Sequence, residues 1–141
     1  MKGFLIILFV AVLHHVNADG KCSCGTFLRS TSDPNVPEEG SRMYLDDSGH
    51  VDSCEGDAAK KACNDHCVDK IGSATNHGNL DWVRPKDGKS VGDLACTLLN
   101  RDVENRELAA FSKLCDGDWF FSKASTPQYL CCRGGRSIAC S

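Results

Sequence analysis

From residue 19 onward the apolar positions fall into short, separate patches, and three of these patches carry a helical repeat. In GDAAKKACNDHCVDKI (56–71), Ala59, Cys63, Cys67 and then Lys70 or Ile71 recur at three-to-four spacing. Lys60, Asn64, Asp65 and Asp69 fall elsewhere on the wheel. Asp57 is the candidate N-cap of this helix and Gly72 its candidate stop. SVGDLACTLL (90–99) places Val91, Leu94, Ala95, Leu98 and Leu99 on one side of a second helix. DVENRELAAFSKLC (102–115) predicts a third, capped by Asp102, with Leu108, Phe111, Leu114 and Cys115 facing inward.

Between these patches the pattern is polar and rich in turn formers. Residues 19–53, with Asp33-Pro34, Pro37, Gly40 and Asp46-Asp47-Ser48-Gly49, read as irregular. Thr26-Phe27-Leu28 and Met43-Tyr44-Leu45 are the candidates for short strands there. Residues 73–89 read as a loop holding Trp82 and Arg84. Gly134-Gly135 predicts a tight turn before a last extended piece, SIAC. The fold class that follows is small, disulfide-rich and mainly α: about three helices with irregular loops and short strands.

Upstream of this, Lys2 precedes an unbroken apolar run from Phe4 to Leu13, and Val16 and Ala18 stand at the −3 and −1 positions of a cleavage site. About ten apolar residues are too few to span a bilayer, so residues 1–18 read as a secretory signal peptide. Removing 18 of the 141 residues leaves 123, the length of one domain (19–141). Only Lys2 among the charged residues is lost, so 15 basic groups stand against 19 acidic ones, a net charge of about −4. With no basic run, neither nucleic acid nor an anionic membrane surface is an expected partner.

All ten cysteines lie in that segment: Cys22, Cys24, Cys54, Cys63, Cys67, Cys96, Cys115, Cys131, Cys132 and Cys140. An even number in an exported chain reads as a framework of five disulfides. Cys63 and Cys67, at i and i+4, are poorly placed to bond to each other, and each is expected to reach a different segment. Cys22 and Cys24, and the adjacent Cys131 and Cys132, should also bond outward, which leaves the pairing open.

The sequence KACNDHCVDK also raises the question of chemistry. Cys63, His66 and Cys67 share a helix face at a spacing that suits zinc, but zinc needs free thiolates, which export disfavours. A C-x-C-G opening followed by a helical histidine between cysteines also resembles secreted phospholipase A2. Thr26-Phe27-Leu28 replaces that family's glycine-rich calcium loop, and Asp65 precedes His66 instead of following it. The preferred reading makes His66 part of a solvated helix surface, with His50 and His77 in polar turns. Asp46-Asp47 and Asp116-Gly117-Asp118 read as exposed acidic turns, since neither opens an EF-hand pattern. G-x-S-x-G, H-E-x-x-H, the P-loop and N-x-[ST] do not occur in the sequence. The expectation is a non-enzymatic protein without cofactor or metal.

The opening C-x-C-G-x-F-L (22–28), the C-x-x-x-C of Cys63 and Cys67, and the single Cys96 after an apolar helix form a larger pattern. AAFSKLCDGDW (109–119) and the closing Cys131-Cys132-Arg133-Gly134 with Cys140 complete it. Together they resemble the arthropod follicle-cell protein family, small secreted proteins associated with the cells that build the insect eggshell. Related cysteine-rich chains resemble arthropod venom components. The resemblance implies secretion, full disulfide bonding and no known catalytic residues.

The functional expectation is a monomeric, secreted effector of the venom or gland-secretion type that binds a protein target. The alternative is a minor structural protein of an extracellular layer such as the eggshell. Trp82 and Arg84 in one loop, and Trp119 and Phe120 in another, are the candidate contact residues, because aromatics and arginine anchor interfaces. Trp119 and Phe120 also suit a small core.

Overall fold

Cys22 and Cys24 are fully buried, two residues apart on one strand, and that strand is the spine of the protein. In the computed structural model, which describes residues 20–141, β1 (Gly20–Leu28) pairs antiparallel with β2 (Tyr44–Val51) on one side and with β4 (Leu108–Leu114) on the other. The candidate signal peptide, residues 1–18, lies outside the described residues. β5 (Phe120–Ser125) completes a four-stranded sheet in the order β2-β1-β4-β5. A second antiparallel sheet, β3-β6-β7, is built from Val103–Arg106, Leu130–Arg133 and Arg136–Ile138. Two helices, α1 (Asp57–Thr75) and α2 (Val91–Leu99), are the helices among the described residues.

The protein is therefore mainly β, and the expectation of a mainly α fold with three helices is overturned. The expected third helix is the clearest case. Residues 103–106 are β3 and 108–114 are β4, and the Asp102 carboxylate accepts a hydrogen bond from the Gly134 N–H at 3.1 Å instead of capping a helix. The physical reason is that β4 is a central strand buried on both faces. Ala110 points into the core beneath α1, while Ala109 and Phe111 point into an aromatic cluster on the opposite face. A strand covered on both sides shows a continuous apolar run instead of alternation, and such a run imitates a buried helix.

The irregular reading of 19–53 is overturned by β1 and β2, which take up the candidate strand Thr26-Phe27-Leu28 and, in Tyr44-Leu45, most of the other and extend well beyond them. Cys22, Cys24, Phe27 and Leu28 are all buried, so the cysteines act as apolar core residues within β1. β2 is an edge strand whose exposed, polar residues conceal it. Asp46-Asp47-Ser48-Gly49 lies inside this strand and absorbs a register shift opposite Cys22–Cys24, where the Ser48 N–H donates to the Asp46 carboxylate at 2.7 Å.

The first two helices form, with different ends. α1 begins after Gly56, so Asp57 is its first residue, and it runs past Gly72 to a left-handed cap at Asn76. α2 starts at Ser90, whose hydroxyl accepts a hydrogen bond from the Asp93 N–H at 3.0 Å. Gly134 and Gly135 both adopt positive φ in the β6–β7 turn, a conformation that glycine enters without a Cβ clash.

The five disulfides are Cys22–Cys63, Cys24–Cys67, Cys54–Cys115, Cys96–Cys132 and Cys131–Cys140. Cys63 and Cys67 reach the same strand, not different segments. One helical turn between them spans about 6 Å, close to the rise of two strand residues, so α1 and β1 join through two parallel rungs. Cys96–Cys132 ties α2 to β6, so each sheet carries its own helix. The core accordingly has distinct centres. One lies under α1 around Cys22, Cys24, Ile71 and Ala110, and another beside α2 around Leu28, Val91, Ala95 and Leu130.

Candidate binding cavity

Where these two centres meet, the packing leaves a cavity of about 260 Å³. The C-terminal half of α1 supplies one wall with Val68, Ile71, Gly72 and Thr75, and α2 supplies another with Val91, Leu94, Ala95 and Leu98. Each set stands at i, i+3, i+4 and i+7, the stripe that a helix turns toward an apolar neighbour. Thr26, Leu108, Ala110 and Ala124 form the sheet side. The reason for the space is side-chain size. Alanines at 95, 110 and 124 and glycines at 72 and 78 stand where larger residues would fill it.

The polar groups sit at the edge. Tyr44 is partly exposed at the start of β2, and burial, followed by the negative charge of Asp46, holds its phenol above the usual tyrosine pKa. Asp46 itself is held well below the usual carboxylate range. The Lys70 ammonium, 2.6 Å away, is the main cause, and the Ser48 hydroxyl and N–H add to it. The Thr75 hydroxyl donates to the Ile71 carbonyl at 2.7 Å, and that of Thr126 donates to the Gln128 carbonyl at 2.8 Å. These two threonine hydroxyls are thus committed to the backbone, while the Tyr44 hydroxyl donates to the Asp46 carboxylate at 3.4 Å.

Arg84 reaches the cavity from a loop that local hydrogen bonds hold in shape. Its N–H donates to the Lys89 carbonyl at 2.9 Å, its carbonyl accepts from the Gly88 N–H at 2.8 Å, and Val83 and Ser90 form an isolated bridge. Among the described residues its ion pair is with Asp87, at a long 3.7 Å.

The four candidate contact residues are not brought together. Arg84 lines the cavity, while Trp82, two residues before it, packs half-buried against the core beside α2. Trp119 packs edge-on to Phe27, ring centres 5.1 Å apart, on the sheet face turned away from α1. Phe120 lies in a separate shallow groove with the Lys60 ammonium 4.8 Å from its ring centre. Sequence reasoning missed Tyr44 and His77, which the cavity adds to Arg84. The shared i, i+3, i+4, i+7 stripes on α1 and α2 were the signal available for the walls. The alanines of the sheet side gave none.

The cysteine helix resolves differently from either chemical reading. The sulfurs of Cys63 and Cys67 are committed to disulfides with Cys22 and Cys24. His66 is not on a solvated surface. It is partly buried against β2, and its Nε2 is enclosed without a hydrogen-bond partner. His50 is exposed on β2.

Residues 14–141 match the family described as the follicle cell protein 3C C-terminal domain. The chain belongs to this family. No curated protein matches the chain, and no solved structure matches it. The family and the five disulfides together fit an extracellular, disulfide-stabilised protein. No helix among the described residues is long and apolar enough to cross a membrane.

Proposed function

We propose that this protein is a secreted, non-enzymatic binding protein whose site is the cavity between α1, α2 and the larger sheet. The observation that carries the reading is the cavity itself: a hydrocarbon-lined space with a polar rim, held open between elements that disulfides tie to the sheets. A site fixed in advance binds with little ordering cost, and this suits a small chain that must act outside the cell. Committed hydroxyls on Thr75 and Thr126 favour binding over nucleophilic chemistry.

The finer setting is a gland secretion, with the protein acting as an effector on its target. A minor role in an extracellular layer is the second reading, favoured by a family description that names the follicle cell. Extraction separates these two: an effector is recovered from soluble secretion without reductant, and a layer component needs reducing or denaturing extraction.

The binding reading is tested on protein isolated from its source fluid without organic solvent. Native mass spectrometry should show a non-covalent adduct, and solvent-stripped protein should take up a neutral apolar fluorophore. No adduct together with no uptake would remove the reading.

A further inference from the structure

The cavity has a size and a charge, and together they narrow what fits. An apolar cavity of about 150 Å³ accommodates benzene, so 260 Å³ has room for about ten carbon atoms. Hydrocarbon walls on both helices disfavour water and leave the space to an apolar chain. Of the residues that line it, Arg84 alone carries a permanent charge, and that charge is positive. The other titratable side chains on the lining are Tyr44 and His77.

The two acidic groups nearby have partners of their own. Asp46 is bound to Lys70 at 2.6 Å, and Asp87 accepts the Lys89 N–H at 3.2 Å while standing 3.7 Å from Arg84. The guanidinium therefore keeps donors for a further acceptor, in the planar fork that suits a carboxylate. Its loop is closed by its own backbone hydrogen bonds, so Arg84 is held on the cavity lining before any ligand arrives.

We propose that the cavity binds a medium-chain carboxylate of about ten carbons, with the chain between α1 and α2 and the carboxylate at Arg84 and Tyr44. This inference rests on the binding reading above and adds ligand class and orientation to it. The Tyr44 hydroxyl, which donates to the Asp46 carboxylate over a long 3.4 Å, can turn to the ligand as a second donor.

The test uses the full mature chain, stripped of lipid, titrated at pH 7 with decanoate, decanol and decylammonium. Decanoate should bind most tightly and decylammonium most weakly. Arg84→Gln should weaken decanoate about ten- to a hundredfold, the range expected for losing a charged hydrogen bond. The same variant should leave decanol within about twofold. Leu94→Trp, which places a large ring in the cavity from a half-buried position, should abolish binding of all three while keeping the five-disulfide mass. If decanol binds but decanoate shows no preference, or Arg84→Gln leaves the preference intact, the inference is overturned and the binding reading stands. If none of the three binds, both fall. Unchanged binding in Leu94→Trp would place the ligand elsewhere and overturn the inference.

Discussion

Gly49 on β2 lies flat against the imidazole of His66 on α1. A Cβ at position 49 would stand 2.9 Å from Cδ2 and Nε2 of that ring and 2.8 Å from the Cys22 carbonyl oxygen. The edge strand and the helix approach this closely because nothing but hydrogen projects from Gly49. Gly49→Ala should therefore destabilise the fold by about 1–3 kcal/mol, the usual cost of overpacking. The ring can be removed but the carbonyl cannot, so adding His66→Ala should restore only part of the loss. Urea denaturation of the two single variants and the double variant measures this coupling. Strict additivity would mean that the two residues do not press on each other.

The paired rungs Cys22–Cys63 and Cys24–Cys67 should behave as one clasp. With either bridge in place, the other closes a loop of only about six residues, so replacing one pair by alanines should cost about 2 kcal/mol. Removing both opens a loop of more than forty residues, with separations of 41 and 43, and should cost about 6 kcal/mol. Denaturation midpoints of the two variants that each keep four bridges and of the variant lacking both bridges check this. Equal losses at each step would contradict it.

Asp46 and Lys70 join β2 to α1, and their contribution depends on pH. The Asp46 carboxyl is held below its ordinary value, chiefly by the Lys70 hydrogen bond. A depressed carboxylate pKa contributes stability that is complete above the unfolded value of about 3.9 and is lost as pH falls below it, through the folded value. Lys70→Met removes the main cause of the shift. The stability gap between wild type and Lys70→Met should thus be full at pH 6 and narrow as pH falls from about 4 toward 2. A gap that stays constant over this range would disprove the pair's role in acid stability.

Phe111 and Phe120 are nine residues apart and should differ sharply. Phe111 has no exposed surface and packs against Phe27 at 5.4 Å and Phe121 at 5.8 Å between ring centres. Phe111→Ala should cost about 3–5 kcal/mol. Phe120 is half-buried with Lys60 above it, and Phe120→Ala should cost about 1 kcal/mol or less. Thermal or urea midpoints decide, and equal losses would mean that the groove at Phe120 is part of the core.

The sequence by itself determined what depends on near neighbours. Ser90 marks the start of α2, the repeat of Ala59, Cys63, Cys67 and Ile71 marks the buried face of α1, and Gly134-Gly135 marks a turn. In each case the decisive interaction lies within a few residues: a capping hydroxyl, a helical stripe, a positive φ. Short pieces of β1, β2 and β7 were legible in Thr26-Phe27-Leu28, Tyr44-Leu45 and Ser137-Ile138, but tertiary structure decided the full strands, their pairing and the cavity. The alanines of β4 have high helix propensity, and β1 looks like a loop punctuated by cysteines. Both become strands because Cys22 to Leu28 and Leu108 to Leu114 pair over their whole length, although the partners lie far apart in the sequence. Pairing energy between distant segments outweighs local preference and leaves no periodic trace when both faces are covered. The cavity follows from the same cause. Arg84, Tyr44 and Leu94 come to line one cavity only once two helices on two different sheets are brought side by side.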